Sequence, residues 1–328
     1  MAEKTLLEGI KEAIAEEMER DERVLVMGED VGLRGGVFRV TEGLIHKYGE
    51  LRVIDTPLAE LGIVGIAIGA ALNGLRPIAE IQFADFIHPA FDQIVSEMAR
   101  FRYRSAGTWT CPMVVRAPFG GGIGGGLYHS QCVEAFYAHV PGLKVVIPGT
   151  PADAKGLLKA AIRDPDPVMF FEHKKAYRLV KGEIPEGDYT TPIGPARIAR
   201  QGSDLTIIAY GLMLHYALQV AEEATQKDGI SAEVIDLRTL VPLDKQTILD
   251  SVKKTGKALV VYEDNKTGGF GAEIAALIAE EAFEYLDGPV MRLAPPDVPA
   301  VPFSPPLQDF YLPNPEKIAA AMRKLAAY

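Results

Sequence analysis

Short apolar runs rich in Val and Ile recur along this chain, and each is followed by a longer stretch with helical spacing. That alternation is the signature of βαβ units around a parallel sheet, and it restricts the chain to the α/β class. Strands are expected at Val24 to Met27, Pro77 to Gln82, Met113 to Ala117, Lys144 to Pro148 and Val168 to Glu172. Helical periodicity occupies Leu61 to Leu72, Pro89 to Arg102 and Pro151 to Arg163, with Pro151 suited to the first turn of its helix. From about Ala176 to Gly202 the pattern lapses and Pro and Gly recur, which reads as a connection between two domains, residues 1–190 and 191–328. Beyond it, strands at Leu205 to Tyr210, Ala232 to Asp236, Ala258 to Glu263 and near Val290 alternate with helices, and a last helix is expected from about Pro315. The proline-rich stretch LAPPDVPAVPFSPPL is expected to run as an extended surface segment.

Several function classes are disfavoured by what the sequence lacks. Its net charge of -10 argues against a surface built to neutralise phosphate, so no nucleic-acid partner is expected. Cys111 and Cys132 lie far apart without a CxxC spacing, which supports neither a disulfide framework nor a zinc knuckle and fits a reducing, cytoplasmic compartment. The acidic, helical N-terminus is no secretory signal, and the most apolar segment, Gly62 to Leu72, is far short of the roughly 20 residues that span a membrane. HExxH, GxSxG and GxxxxGK[ST] are all absent, which disfavours zinc hydrolases, serine hydrolases and P-loop enzymes.

The remaining chemistry-bearing features each allow a plain and a functional reading. The run FGGGIGGGLYHSQ contains GxGxxG at Gly120, Gly122 and Gly125, but any run so dense in glycine does, and no acid follows at the spacing that holds a ribose. It is either a flexible loop or a mobile active-site loop carrying His129. The other histidines, His46, His88, His139, His173 and His215, lie in helical, charged or proline-flanked contexts. Glu60 opens a helix of otherwise small and apolar residues, so it either satisfies first-turn amides or is a buried acid tuned for proton transfer. Glu29, Asp30 and Asp55 are further acid–base candidates that could equally cap a helix or loop.

The segments GEDVGLRGGVFRVTEGL, VIDTPLAELGIVGIAIGAAL, AEIQFADFIHPAFDQIV, RYRSAG, LYHSQCVEAF, GLKVVIPGTPADAKGLLKAAIRDPDPVMFFEHKKAYR and AEVIDLRTLVPLD run in order from residue 28 to about residue 244. They resemble the β subunit of the decarboxylating component of branched-chain 2-oxo acid dehydrogenase. The resemblance implies two transketolase-like domains, each a mainly parallel sheet flanked by helices, and thiamine diphosphate as cofactor. It implies that Glu60 bonds the N1′ nitrogen of the aminopyrimidine, that Glu29, Leu58, Ala59, Gln82 and Phe86 line the same pocket, and that His129 stands near the substrate. The GDG…NN motif that binds diphosphate and Mg2+ is missing, and in this family it belongs to an α subunit. The resemblance therefore implies an α2β2 heterotetramer, inactive without α, serving a lipoyl-bearing acyltransferase core. It further implies a possible K+ loop at Ala161, Asp164 and Asp166, although Asp166 replaces the family's usual asparagine, with helix capping or a surface turn as the plain alternative. Phe86 stands where relatives often carry tyrosine, which keeps an aromatic wall and removes a hydroxyl. Pyruvate or acetoin dehydrogenase β subunits are the nearest rival reading.

Overall fold

The computed structural model describes residues 3–328. They form two compact units: residues up to Phe119 together with Phe136–Ile193, and Gly120–Ala135 together with Gly194–Tyr328. The glycine-rich segment, which the sequence places within residues 1–190, thus clusters with the second unit.

The first unit begins with helix Leu6–Arg20, whose start is set by a reciprocal cap. The Thr5 hydroxyl accepts from the Glu8 N–H, and the Glu8 carboxylate accepts from the Thr5 N–H. This helix buries Leu6, Ile10, Ala13, Ile14 and Met18. Along its contact with helix Pro151–Arg163, Arg163 clamps the fully buried Glu17, and Lys155 and Lys159 reach Glu16. The sheet runs, in spatial order, Val53–Asp55, Val24–Gly28, Arg76–Glu80, Val114–Phe119, Val168–His173 and Lys144–Val146, every neighbouring pair parallel. Each residue of Val24–Gly28, Val114–Phe119 and Val168–His173 is buried, as parallel strands covered on both faces require.

In the second unit the parallel strands Met291–Leu293, Ala258–Val261, Leu205–Ala209 and Ala232–Asp236 lie side by side. An antiparallel edge strand, Arg197–Arg200, closes one side of this sheet. Helices Leu212–Asp228, Lys245–Thr255, Gly271–Glu281 and Pro315–Ala326 accompany them. Helix Lys245–Thr255 shows why its ends fall where they do: the Asp244 carboxylate accepts from the Thr247 N–H, and Gly256 takes the left-handed conformation that stops the helix.

Two expectations are corrected, and the connection between the domains gains detail. The single helix read over Pro89 to Arg102 is instead a 3-10 turn at His88–Ala90, a π segment at Gln93–Glu97, a second 3-10 turn at Met98–Arg100 and a short α-helix at Phe101–Arg104. Ala90, Ile94 and Met98 are all buried, yet a spacing of four drifts about 40° per step on an α-helix. The wider π turn takes up that drift. The connection from Ala176 to Gly202 holds helix Ala176–Leu179, strand Lys181–Glu183 paired with Glu3–Thr5, and the edge strand. Elements this short leave no periodicity to read. The proline-rich stretch ends in helix Pro305–Tyr311, because prolines at the first two helical positions cost no backbone hydrogen bond. No helix among the described residues is long and apolar enough to cross a membrane.

Candidate active site

Three neighbouring parallel strands of the first unit deliver the predicted pocket residues from their carboxyl ends. Strand Val24–Gly28 leads into Glu29, strand Val53–Asp55 into Leu58, Ala59 and Glu60, and strand Arg76–Glu80 into Gln82 and Phe86. Ligands of α/β sheets bind at such ends, because the loops there are free to vary while the strands hold them in register. The register is tight: Gly28 pairs with Asp55 on one side and Glu80 on the other.

Glu60 is the first residue of helix Glu60–Leu72 and is half-buried. Its N-cap is Ala59, which has no side chain to accept a first-turn amide, so the helix start leaves N–H groups available beside an acid. The Glu29 carboxyl is held above the usual range, first by burial and then by the charges of Asp30 and Glu60. Glu60 is therefore near enough for its charge to act on the Glu29 carboxyl. Apolar side chains adjoin Glu60 along the chain, and an aromatic one follows strand Arg76–Glu80. Leu58 is 72% and Leu61 53% exposed, and the Phe86 ring meets Phe83 edge-on at 5.6 Å. A half-buried acid pair, an amide at Gln82, an aromatic wall and exposed aliphatic surface fit a flat heterocycle that carries ring nitrogens. Asp55 is engaged elsewhere, accepting from the Gly32 N–H at 2.6 Å.

Beneath this group lies a buried ion network that sequence reading missed. Arg116, fully buried, donates from Nη1 to Glu80 Oε2 at 2.6 Å and grips Glu172 with Nε and Nη2, each at 2.7 Å. The Tyr177 hydroxyl donates to Glu172 Oε2 at 2.5 Å. The available signal was a charged residue inside each of the otherwise apolar runs VVRAPF and VMFFEH.

His129 belongs to the second unit, directly after the 3-10 turn Gly126–Tyr128, and is half-buried. The run needs glycine at Gly125, where an added Cβ would lie 2.6 Å from the His129 carbonyl oxygen and 2.7 Å from its Cβ. The loop is tied to its unit by the Gly121 N–H, which donates to Glu263. Just past it, Glu134 is fully buried and accepts the Tyr210 hydroxyl at 2.9 Å on Oε1, while Oε2 has no hydrogen-bond partner. Burial, then Asp264, raise the Glu134 carboxyl, and burial raises Asp264 against the Asn265 N–H that it accepts. Folded pKa values above unfolded ones mean stability that is present in acid and lost as pH rises through the raised values. Resistance to urea should therefore fall between about pH 5 and about pH 8. The variant Glu134→Gln, which keeps an acceptor for Tyr210, should flatten that slope; an unchanged slope would rule the pair out as its source.

The predicted potassium residues Ala161, Asp164 and Asp166 lie at the end of helix Pro151–Arg163 and in the turn after it. Both carboxylates are already taken by side-chain cations: Asp164 by Lys144 Nζ, 2.7 Å from Oδ1, and Asp166 by Arg102 Nε. Asp164 Oδ1 also accepts from the Asp166 N–H at 2.8 Å, an ordinary carboxylate-stapled turn. No group of three or more His, Cys, Asp or Glu side chains among the described residues is placed to hold a metal ion.

This architecture defines a two-domain α/β protein of the transketolase type. Residues 2–180 match the family model for the transketolase pyrimidine-binding domain and residues 194–318 that for the transketolase C-terminal domain. A solved split-gene transketolase, described as an inactive β4 tetramer, superimposes with a TM-score of 0.80 over 98% of each chain at 23% identity, a likeness of fold. The chain is 58% identical over its whole length and that of the relative to the 2-oxoisovalerate dehydrogenase subunit beta of Bacillus subtilis (strain 168). The pyruvate dehydrogenase E1 component subunit beta of the same organism is 51% identical, again over the whole of both chains. The mitochondrial 2-oxoisovalerate dehydrogenase subunit beta of Dictyostelium discoideum is 49% identical over 98% of this chain and 86% of its own. The chain belongs to the family of 2-oxo acid dehydrogenase β subunits.

Proposed function

We propose that this chain is the β subunit of a thiamine diphosphate-dependent dehydrogenase that oxidatively decarboxylates branched-chain 2-oxo acids and passes the acyl group to a lipoyl arm. The observation that carries this reading is the convergence of Glu29, Leu58, Ala59, Glu60, Gln82 and Phe86 on the carboxyl ends of three adjacent strands, in a chain of this family. The matched domains suggest residues 1–190 as the pyrimidine-binding half and 191–328 as the C-terminal half.

Thiamine diphosphate, when bound, supplies the electron sink that decarboxylation of a 2-oxo acid needs and that protein side chains lack. The chain's own part is to hold and move protons around it. Glu60 would hold a proton against the pyrimidine N1′, and Glu29, whose carboxyl keeps its proton to higher pH than an isolated acid, would buffer that proton in a partly dry setting. Leu58, Ala59 and the Phe86 ring would exclude water and set the plane of the heterocycle, and Gln82 would pair with its polar edge. His129 would exchange a proton with substrate from the glycine-rich loop.

No residue of this chain forms a GDG…NN motif, so the diphosphate and Mg2+ would belong to an α subunit in an α2β2 assembly serving an acyltransferase core, in the cytoplasm or an equivalent compartment. For K+, Lys144 and Arg102 engage the Asp164 and Asp166 carboxylates and Arg76 donates to the Ile162 and Asp164 carbonyls, so no step is made to depend on it.

The β chain purified alone should show no decarboxylation, and addition of its α chain with thiamine diphosphate and Mg2+ should restore turnover, with 2-oxoisovalerate preferred to pyruvate. Activity of the β chain alone would defeat the split site. A clear preference for pyruvate would move the chain to the rival reading, which the 51% relative keeps in view.

A further inference from the structure

The buried network under the pocket touches the loop that carries Glu29 at two separate points. After Glu29 the chain folds back on itself, with the Gly36 N–H donating to the Asp30 carbonyl at 2.8 Å and the Thr41 hydroxyl to the Val31 carbonyl at 2.7 Å. Gly36 is seated on the Glu80 carboxylate, where an added Cβ would lie 2.9 Å from Glu80 Oε1. Its φ of +77° is one that L side chains rarely adopt, so the close seat and the backbone both require glycine. Two residues further on, the Phe38 ring lies 5.1 Å from the ring of Tyr177, the tyrosine that donates to Glu172, and 5.4 Å from Phe83, which in turn meets Phe86. Arg116 joins the two support points, because it holds Glu80 with one nitrogen and Glu172 with two others.

We propose that Glu80, locked by Arg116, is a positioning residue: it props the loop from Gly28 to Gly36 from below and so keeps Glu29 facing Glu60. A network that served only to fill the core would not need a carboxylate against a left-handed glycine. Three adjacent strands each contribute one charged member, Glu80, Arg116 and Glu172, and Glu80 pairs in register with Gly28, the residue before Glu29. Movement of Glu80 is therefore transmitted to Glu29 through one strand pair and one loop contact. The groups that act on the Glu29 carboxyl are Asp30 and Glu60, with burial as the larger cause. A loop that lifted away from Glu80 would admit water and weaken both influences.

The proposal rests on the decarboxylase reading given above. The experiment is a pH–rate profile of 2-oxo acid decarboxylation by the complex reconstituted with its α chain, comparing wild type with Glu80→Ala, Glu80→Gln and Gly36→Ala. Glu80→Ala removes the prop, and kcat should fall about tenfold to a hundredfold, the scale of a misplaced catalytic group, with KM for the 2-oxo acid little changed. The limb of the profile set by Glu29 should move to lower pH, because the burial that raises its carboxyl would be lost. Glu80→Gln, which keeps the shape and an acceptor for Arg116, should recover most of the rate. Gly36→Ala disturbs the same contact from the loop side with the network intact, and should give the same shift of the limb even if Glu80→Ala fails to fold. Because both act at one contact, their effects on kcat in the double variant should be less than additive. Variants that melt earlier yet keep the wild-type kcat and pH profile would overturn the positioning role. A wild-type complex that decarboxylates no 2-oxo acid would instead overturn the function, and the proposal with it.

Discussion

Glu60→Ala is expected to lower decarboxylation by the reconstituted complex by about a hundredfold to ten-thousandfold, the range over which a positioned acid or base contributes. The fold should be little affected. Glu60 is half-buried at the first position of a helix, where losing a carboxylate costs about 0.3–1 kcal/mol through the helix dipole. Glu60→Gln separates the proton from the shape: it can still bond a ring nitrogen but cannot give up or take a proton, so its kcat should stay close to that of alanine. Glu29→Gln should be milder, because Glu29 biases the proton of the pair and does not stand at the helix start. Near-normal turnover by Glu60→Ala, in a complex that still binds thiamine diphosphate, would remove Glu60 from the chemistry.

The sequence made the scaffold legible wherever a strand or helix was long enough to show its period. Helix Pro151–Arg163 and strand Ala232–Asp236 fall where the pattern puts them, and the other long strands differ by a residue or two at their ends. What escaped was set by tertiary contact. Val53–Asp55 is only three residues long, and its place at the sheet edge follows from pairing with Val24–Gly28 and from no propensity of its own. The π segment at Gln93–Glu97 arises because three buried residues must share one face. Glu60 was ambiguous because both of its readings put an acid in a first turn, and its place at the first position of helix Glu60–Leu72 is compatible with either. Glu134 and Asp264 are 130 residues apart in sequence and could be linked only by folding. Arg116 was visible as a charge in an apolar strand, but its two partners come from strands on either side of it.

The largest loss of stability is expected from Arg116→Met, at about 3–5 kcal/mol, because removal of one partner from a buried ion cluster leaves uncompensated charge behind. Methionine fills the space, so the cost is electrostatic, with little cavity term. Without the guanidinium, Glu80 and Glu172 would face each other in a dry core with only the Tyr177 hydroxyl to share. Even with Arg116 present, burial already raises the Glu80 carboxyl, the Arg116 charge being the second influence and acting to lower it. In the variant the Glu80 carboxyl would be raised further above its unfolded value. Its contribution to stability is then fully present below the ordinary carboxylate range and is lost as pH rises through the raised value. The deficit relative to wild type should thus be small in acid and grow as pH rises above the ordinary carboxylate range, read as urea midpoints at successive pH values. Replacing all three members, as in Arg116→Met with Glu80→Leu and Glu172→Leu, should return much of the lost stability, since an apolar cluster of similar volume carries no desolvation cost. If Glu80 positions Glu29, that triple variant should remain slow however firmly it folds.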